Sequence, residues 1–151
     1  MSSVVARLAE LGLVLPSAPK PLAAYVPAVR SGDLVFTAGQ LPLRDGKLIA
    51  TGLVGARVDP SVAKECAAQA ALNALAAIAT VVNLEQVTAI VKVTGFVAGV
   101  DGFTDQPAVI NGASELLGAL WPAGHARSAL GVSSLPIDAP VEIELIAEVR
   151  G

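Results

Sequence analysis

The residues best equipped for chemistry lie in two stretches near the end of the chain. Arg127 lies in the stretch 125–136, and Glu142 and Glu144 lie in the stretch 139–147 that follows it. Both stretches are predicted to be strands, and a spacing of two puts the two carboxylates on one face. We expect the strands to be neighbours, with the guanidinium beside a carboxylate. Because a guanidinium binds a carboxylate through two parallel hydrogen bonds, the pattern predicts a site for a small carboxylic acid and a reacting water.

The composition favours a protein that associates with itself. Hydrophobic residues make up 54% of the 151 residues and charged residues only 15%, below the usual quarter. So few charges cannot cover a monomer, and large exposed apolar patches usually become subunit contacts. The length suits one domain, so we expect a homo-oligomer of single-domain subunits. The net charge of -3 and the pI near 5.0 argue against a nucleic-acid partner.

Residue types that bind metals or anchor a chain in a membrane are scarce. Cys66 is the only cysteine and His125 the only histidine, so neither a disulfide nor a multi-cysteine or histidine metal site can form within the chain. Gly-rich phosphate loops are absent from the sequence, and we expect neither a metal nor a cofactor. Polar residues interrupt the apolar stretch 66–82, and the first residues lack the pattern of a signal peptide. We therefore expect a cytoplasmic protein without a membrane partner.

The periodicity of the sequence predicts an α+β fold. Helical spacing and capping signals predict three helices, at residues 3–12, 60 to about 82, and 105 to about 120. Alternating or β-branched stretches predict strands at residues 33–40, 87–97, 125–136 and 139–147, with a hairpin turn at Asp45-Gly46. This order predicts helices on one face of a mixed sheet. We assign residues 1–19 to a leading helix and connector, and residues 20–151 to a single domain.

Several segments together resemble the Rid (YjgF) family of enamine/imine deaminases. The resemblance runs from about Lys20 to Val149 and leaves only the leading helix outside. It is carried by Tyr25-Val26, Thr37-Ala-Gly-Gln-Leu-Pro42, the strand Val91–Val97, Asn111, Ala126-Arg-Ser128, Leu135-Pro136 and Val141-Glu-Ile-Glu-Leu-Ile-Ala147. The motifs from Ala126 to Ala147 are the most specific of these segments. The order and spacing of all the segments also support the resemblance.

The resemblance implies a particular architecture and assembly. The family fold is similar to chorismate mutase, with two main helices on one face of a mixed sheet. Three subunits associate, their sheets form a central barrel, and three clefts lie between neighbouring subunits. A homotrimer with intersubunit clefts agrees with the oligomer that the sparse charge predicts.

The resemblance also implies an activity and roles for individual residues. The clefts of the family hydrolyse reactive enamines and imines, such as 2-aminoacrylate, to 2-keto acids and ammonium. Carried over to this chain, Arg127 would bind the substrate carboxylate and Glu142 would hold the water that attacks the imine carbon. The ring of Tyr25 and the backbone of Gly39 would line the pocket, and Asn111 would shape it from the helix. Positioning and modest acid–base help suffice for so reactive an imine.

Two positions depart from the family pattern. Ala38 stands where the family commonly has a hydroxyl group, and Ala129 stands where it often has a cysteine. Both residues would still line the pocket, and both would make it more apolar. The departures bear on which substrate is used and, to a lesser degree, on whether the activity is kept.

Other interpretations of the same residues stay open at this point. Arg127 could form a structural bridge to Glu142, and Glu144 could belong to a solvated strand face. Packing alone could explain Tyr25, Asn111 could serve as a helix-turn hydrogen bonder, and His125 could be a loop residue. A trimer that binds 2-keto acids without turnover is the alternative function. RNA cleavage fits poorly, because the chain is acidic and has one histidine and few aromatic residues.

Overall fold

The computed structural model describes residues 3–18, 20 and 23–151. This part of the chain contains three α-helices: α1 (Val4–Glu10), α2 (Pro60–Ile78) and α3 (Gln106–Leu120). It also contains seven strands: β1 (Ala28–Ser31), β2 (Leu34–Thr37), β3 (Leu43–Arg44), β4 (Lys47–Leu48), β5 (Val87–Ala98), β6 (Ala126–Val132) and β7 (Val141–Val149). The predicted α+β class is confirmed.

Five of the strands form one mixed sheet, in the order β1-β2-β7-β5-β6, and β3 pairs with β4 in a separate hairpin. β5 and β6 run parallel because the crossover helix α3 connects them, and the other neighbouring strands are antiparallel. The β3–β4 hairpin turns at Asp45-Gly46, where both residues have positive φ, as the sequence predicts.

The order of the strands corrects one expectation. We expected the strand of Arg127 and the strand of Glu142 to be neighbours, but β5 lies between β6 and β7. The crossover through α3 places β6 on one side of β5, and β7 then pairs antiparallel with β5 on the other side. Two strands that are consecutive in sequence are therefore separated by a third in the sheet.

Burial alternates along β7 and shows which face of the sheet is covered. Val141, Ile143 and Leu145 are buried, whereas Glu142 and Glu144 between them are only half-buried. α2 and α3 pack against the buried side, and their apolar side chains share one core with those of the strands. Among the described residues no helix covers the opposite side of the sheet, which we call the open face. The prediction of two main helices on one face is confirmed.

The leading helix α1 belongs to the same core. Val4 and Leu8 are buried, and the amide of Val4 donates a hydrogen bond of 2.8 Å to Oε1 of Glu85. The helix ends before Gly12, whose positive φ turns the chain. In the ranges that the structure describes, no helix combines the length and apolarity needed to cross a membrane.

The alanine-rich helix α2 lies at the centre of the fold. It ends at Ile78, earlier than predicted, because the chain turns there and the hydroxyl of Thr80 donates to the carbonyl of Ala77 at 2.6 Å. Cys66 on this helix is buried, and burial, followed by the charge of Glu65, raises the pKa of its thiol to about 11. The thiol is therefore a core group that stays protonated.

α2 and α3 approach each other closely at Gly112. A Cβ atom at Gly112 would overlap the carbonyl oxygen of Lys64 and would lie 2.9 Å from its carbonyl carbon. Backbone cannot yield as a flexible side chain can, so only glycine fits at this crossing. Gly118, later in the same helix, has no atom within 4 Å of its Cβ position.

Gly112→Ala is therefore expected to lower the free energy of unfolding by about 1–3 kcal/mol, because it forces the helices apart. Gly118→Ala is the matched control, and it should instead stabilise the helix by about 0.5–1 kcal/mol. Thermal unfolding of the two variants measures both effects. Equal shifts in Tm would contradict the close helix crossing.

Candidate functional site

Glu142 is presented on the open face by β7. It is in register with Phe96 of β5, and the side chains of paired residues lie on the same side of a sheet. Glu144 lies two residues further along on the same face, as its spacing predicts. Burial raises the pKa of Glu142, and the nearby charge of Glu144 raises it further. Glu142 thus keeps its proton to a higher pH than an ordinary glutamate does.

The chain after β2 passes beside β7 through a short interruption of the ladder. The hydroxyl of Thr37 accepts the amide of Leu145 at 2.9 Å. Backbone pairing resumes at Gln40, which exchanges bonds of 2.7 and 2.9 Å with Ile143. The segment Ala38–Gly39 lies between these two points and runs along the edge of β7.

Gly39 lies directly against the carboxylate of Glu142. A Cβ atom at position 39 would lie 2.8 Å from Cδ of Glu142 and would overlap one carboxylate oxygen. A side chain at position 39 would therefore force the Glu142 carboxylate to move from this place. The sequence pattern Ala-Gly-Gln therefore has a local physical reason: the glycine creates the space that Glu142 occupies.

Tyr25 and Ala38 lie at the same end of the sheet. The amide of Ala38 donates a bond of 2.8 Å to the carbonyl of Pro27, and Tyr25 precedes Pro27 by two residues. Tyr25 is 47% exposed, so burial in the core of this chain does not account for it. We call Tyr25, Ala38, Gly39 and Glu142 the carboxylate half-site.

Arg127 lies on the other side of the sheet. It is in register with Val93 of β5, which is completely buried under the helices. Its guanidinium reaches α3, where Nη1 donates to Oδ1 of Asn111 at 2.7 Å and to Oγ of Ser114 at 3.3 Å. Ala129 follows on the same side of β6 and packs against the core.

His125 extends this group through Ser114. Its Nε2 lies 2.9 Å from Oγ of Ser114. Burial, and then the charge of Arg127, lower the pKa of His125, which favours the neutral imidazole. We call Asn111, Ser114, His125, Arg127 and Ala129 the guanidinium half-site.

The predicted site residues therefore form two groups on opposite faces of one sheet. Val93 and Phe96 are three residues apart on β5, so their register partners Arg127 and Glu142 point to opposite sides. The expectation of a guanidinium beside a carboxylate is wrong within one chain. The described residues show no ion pair between Arg127 and Glu142 either, so a structural bridge between them is excluded in this chain.

The sequence interpretation overlooked part of the guanidinium half-site. Ser114 was not singled out, and the sequence assigned His125 no role beyond that of a loop residue; it does lie in the loop just before β6. The available signal was the spacing Asn111-x-x-Ser114, which puts two polar side chains on one helix face, one turn apart. In the part of the chain with described structure, no three His, Cys, Asp or Glu side chains lie close enough together to hold a metal ion.

Comparison with known proteins places the chain in a family. The family described as endoribonuclease L-PSP matches residues 15–149. Protein TCP17 of Trypanosoma cruzi is 36% identical over 154 residues, which cover 97% of this chain and 94% of that protein. A 2-iminobutanoate/2-iminopropanoate deaminase of Salmonella typhimurium is 34% identical over 139 residues, which cover 89% of this chain and 94% of that protein.

Solved structures agree with this placement. Atu1372 of Agrobacterium tumefaciens, a protein with unknown function, has a TM-score of 0.89 and 43% identity, over 98% of this chain and 94% of that one. TdcF of E. coli with bound serine has a TM-score of 0.65 and 31% identity, over 89% of this chain and 94% of that one. The chain thus belongs to the endoribonuclease L-PSP family, which is the Rid (YjgF) family that its motifs resemble.

Proposed function

We propose that the protein hydrolyses reactive 2-imino acids, and their enamine forms such as 2-aminoacrylate, to 2-keto acids and ammonium. The observation that carries the proposal is the pair of half-sites, one with a guanidinium held by α3 and one with a carboxylate set against Gly39. Relatives named 2-iminobutanoate/2-iminopropanoate deaminase support this reaction class. The serine bound by TdcF supports a small ligand that carries a carboxylate.

The proposed site needs a second copy of the chain. Arg127 and Glu142 lie on opposite faces of their own sheet, so a ligand that meets both would lie between two subunits. Three apolar side chains on the open face are exposed to solvent: Val29 by 52%, Phe36 by 41% and Leu130 by 47%. Exposed apolar surface of this kind is what subunit contacts cover. A homotrimer of chorismate-mutase-like form, with three equivalent clefts, is the assembly we propose.

The reaction divides between the two half-sites. Arg127 would bind the substrate carboxylate, and a water held by Glu142 would attack the imine carbon as the carboxylate accepts a proton from it. Attack on the protonated imine forms the C–O bond of a carbinolamine as the C=N π electrons move to the nitrogen. Glu142 returns its proton to that nitrogen, and the C–N bond breaks as the hydroxyl oxygen forms the keto group. Glu142 accepts the released hydroxyl proton and passes it to the departing ammonia. One water is consumed and one ammonium is released. Because the pKa of Glu142 is raised, the rate should fall on acidification at a higher pH than an ordinary glutamate would give.

A coupled assay tests this function directly. A dehydratase generates 2-aminoacrylate, and the rate of keto-acid formation is measured with and without the protein. The protein should increase that rate. Arg127→Lys keeps the charge but loses the bidentate geometry, so kcat/KM should fall by about 30- to 1000-fold, the equivalent of about 2–4 kcal/mol.

Arg57→Lys, at an exposed ion pair with Asp138, is the matched control and should retain the wild-type rate. Near-normal hydrolysis by Arg127→Lys would contradict the assigned role. Saturable binding of a 2-keto acid without any turnover would instead support the alternative of a binding or regulatory trimer.

Complementation between two inactive variants tests the intersubunit site. Arg127→Ala lacks one half-site and Glu142→Gln lacks the other, so each alone should be inactive. In a ring of three, every mixed trimer should contain one cleft with both residues intact, and random mixing should restore about a quarter of the wild-type activity. Light scattering on the same samples should give three times 15.2 kDa. Failure of co-refolded mixtures to regain activity would count against a shared cleft.

Gly39→Ala tests the contact that positions Glu142. The added methyl group would displace the carboxylate, and a displacement of about 1 Å at a reacting group can cost about 100-fold in rate. Ala38→Ser is the matched control, because position 38 already carries a Cβ and the serine restores the hydroxyl common in the family. We expect it to keep most of the activity. Full activity in Gly39→Ala would contradict the role of Gly39 in positioning Glu142.

A further inference from the structure

The guanidinium of Arg127 is held by α3 in a way that leaves one edge open. Its Nη1 donates to Asn111 at 2.7 Å and to Ser114 at 3.3 Å, and these two bonds use both hydrogens of Nη1. The remaining hydrogens, on Nε and Nη2, have no acceptor among the residues that the structure describes. The free donors therefore lie along one edge of the guanidinium.

That open edge matches a carboxylate. Nε–H and one Nη2–H point in parallel, so they can bind both oxygens of a carboxylate at once. An arginine side chain without support samples many rotamers, and ordering it opposes binding. The groups that hold Nη1 thus set how much of that ordering is complete before a ligand arrives.

Ser114 is fixed in turn by His125. The serine oxygen accepts from Arg127, so its own proton is free to be donated to Nε2 of His125, 2.9 Å away. This direction requires a neutral imidazole with its proton on Nδ1. Burial of His125 favours that neutral form. The hydrogen bonds therefore run in series from His125 through Ser114 to Arg127.

We infer that Ser114 and His125 are positioning residues that orient Arg127, so that its Nε and Nη2 edge faces the carboxylate of the ligand. His125 acts only through Ser114, and neither residue contacts the reacting atoms. The inference rests on the proposed function, since it names the residues that prepare Arg127 for a 2-keto or 2-imino acid.

The same bonds are not needed to attach α3 to the sheet. Ile110 of α3 lies directly over Gly95 of β5. A Cβ atom added to Gly95 would lie 2.6 Å from Cδ1 of Ile110. This buried apolar contact holds the helix in place whether or not Ser114 carries a hydroxyl group. Loss of the hydroxyl should therefore change ligand affinity more than stability.

The test measures binding of 2-oxobutanoate by calorimetry, with melting temperature and imine hydrolysis on the same preparations. Ser114→Ala and His125→Phe should each weaken binding by about 3- to 10-fold, the usual effect of losing one hydrogen bond, with kcat less affected than KM. Ser114→Thr keeps the hydroxyl and His125→Gln keeps an acceptor, so both should restore binding. Ser61→Ala, an exposed serine on α2, is the control and should bind normally.

A double-mutant cycle tests the order of the residues. In the Ser114→Ala background, His125→Phe should cause no further loss of affinity, because the two act in series. Additive losses, or normal affinity in Ser114→Ala, would overturn the inference. A wild-type protein that neither binds 2-oxobutanoate nor hydrolyses imines would instead refute the proposed function, so the two failures are distinguishable.

Discussion

The register of β5 with its two neighbours places Arg127 beside Val93 and Glu142 beside Phe96. Because side chains alternate along a strand, this register sends the guanidinium to the helix side and the carboxylate to the open face. A slip of one residue in either pair would bring both groups to one side of the sheet and would also turn the core residues of that strand outward. The register that buries the core therefore also places Arg127 and Glu142 on opposite sides of the sheet within one chain.

Each half-site draws on a different kind of support. On the helix side, Arg127 is ordered by side chains of α3, so its orientation depends on how that helix packs. On the open face, the carboxylate of Glu142 lies against the backbone of Gly39, in space that a side chain at position 39 would fill. The first kind of support can be changed by removing single hydrogen bonds, whereas the second depends on the absence of a side chain at position 39.

The sequence predicted most of the elements, though not β1, and the helices on one face of the sheet, but it did not predict the order of the strands. The bounds of β5 and α3 follow from β-branched residues, from proline near a helix start and from Trp121-Pro122 at its end, all of which act locally. The insertion of β5 between β6 and β7 depends on a crossover, which local signals do not encode. Gly39 and Arg127 were found from motifs, but Ser114 was missed because its role exists only once α3 lies on β6.

The burial of Cys66 has a consequence for following the dynamics of this protein. It is the only thiol in the chain, it lies in the first half of α2, and it stays protonated at neutral pH. A thiol reagent can react with it only when α2 separates from the core. If reclosure is faster than the chemistry, the labelling rate under native conditions reports the opening free energy of the central helix. The chain thus carries a built-in probe of its own local unfolding, with no engineered label.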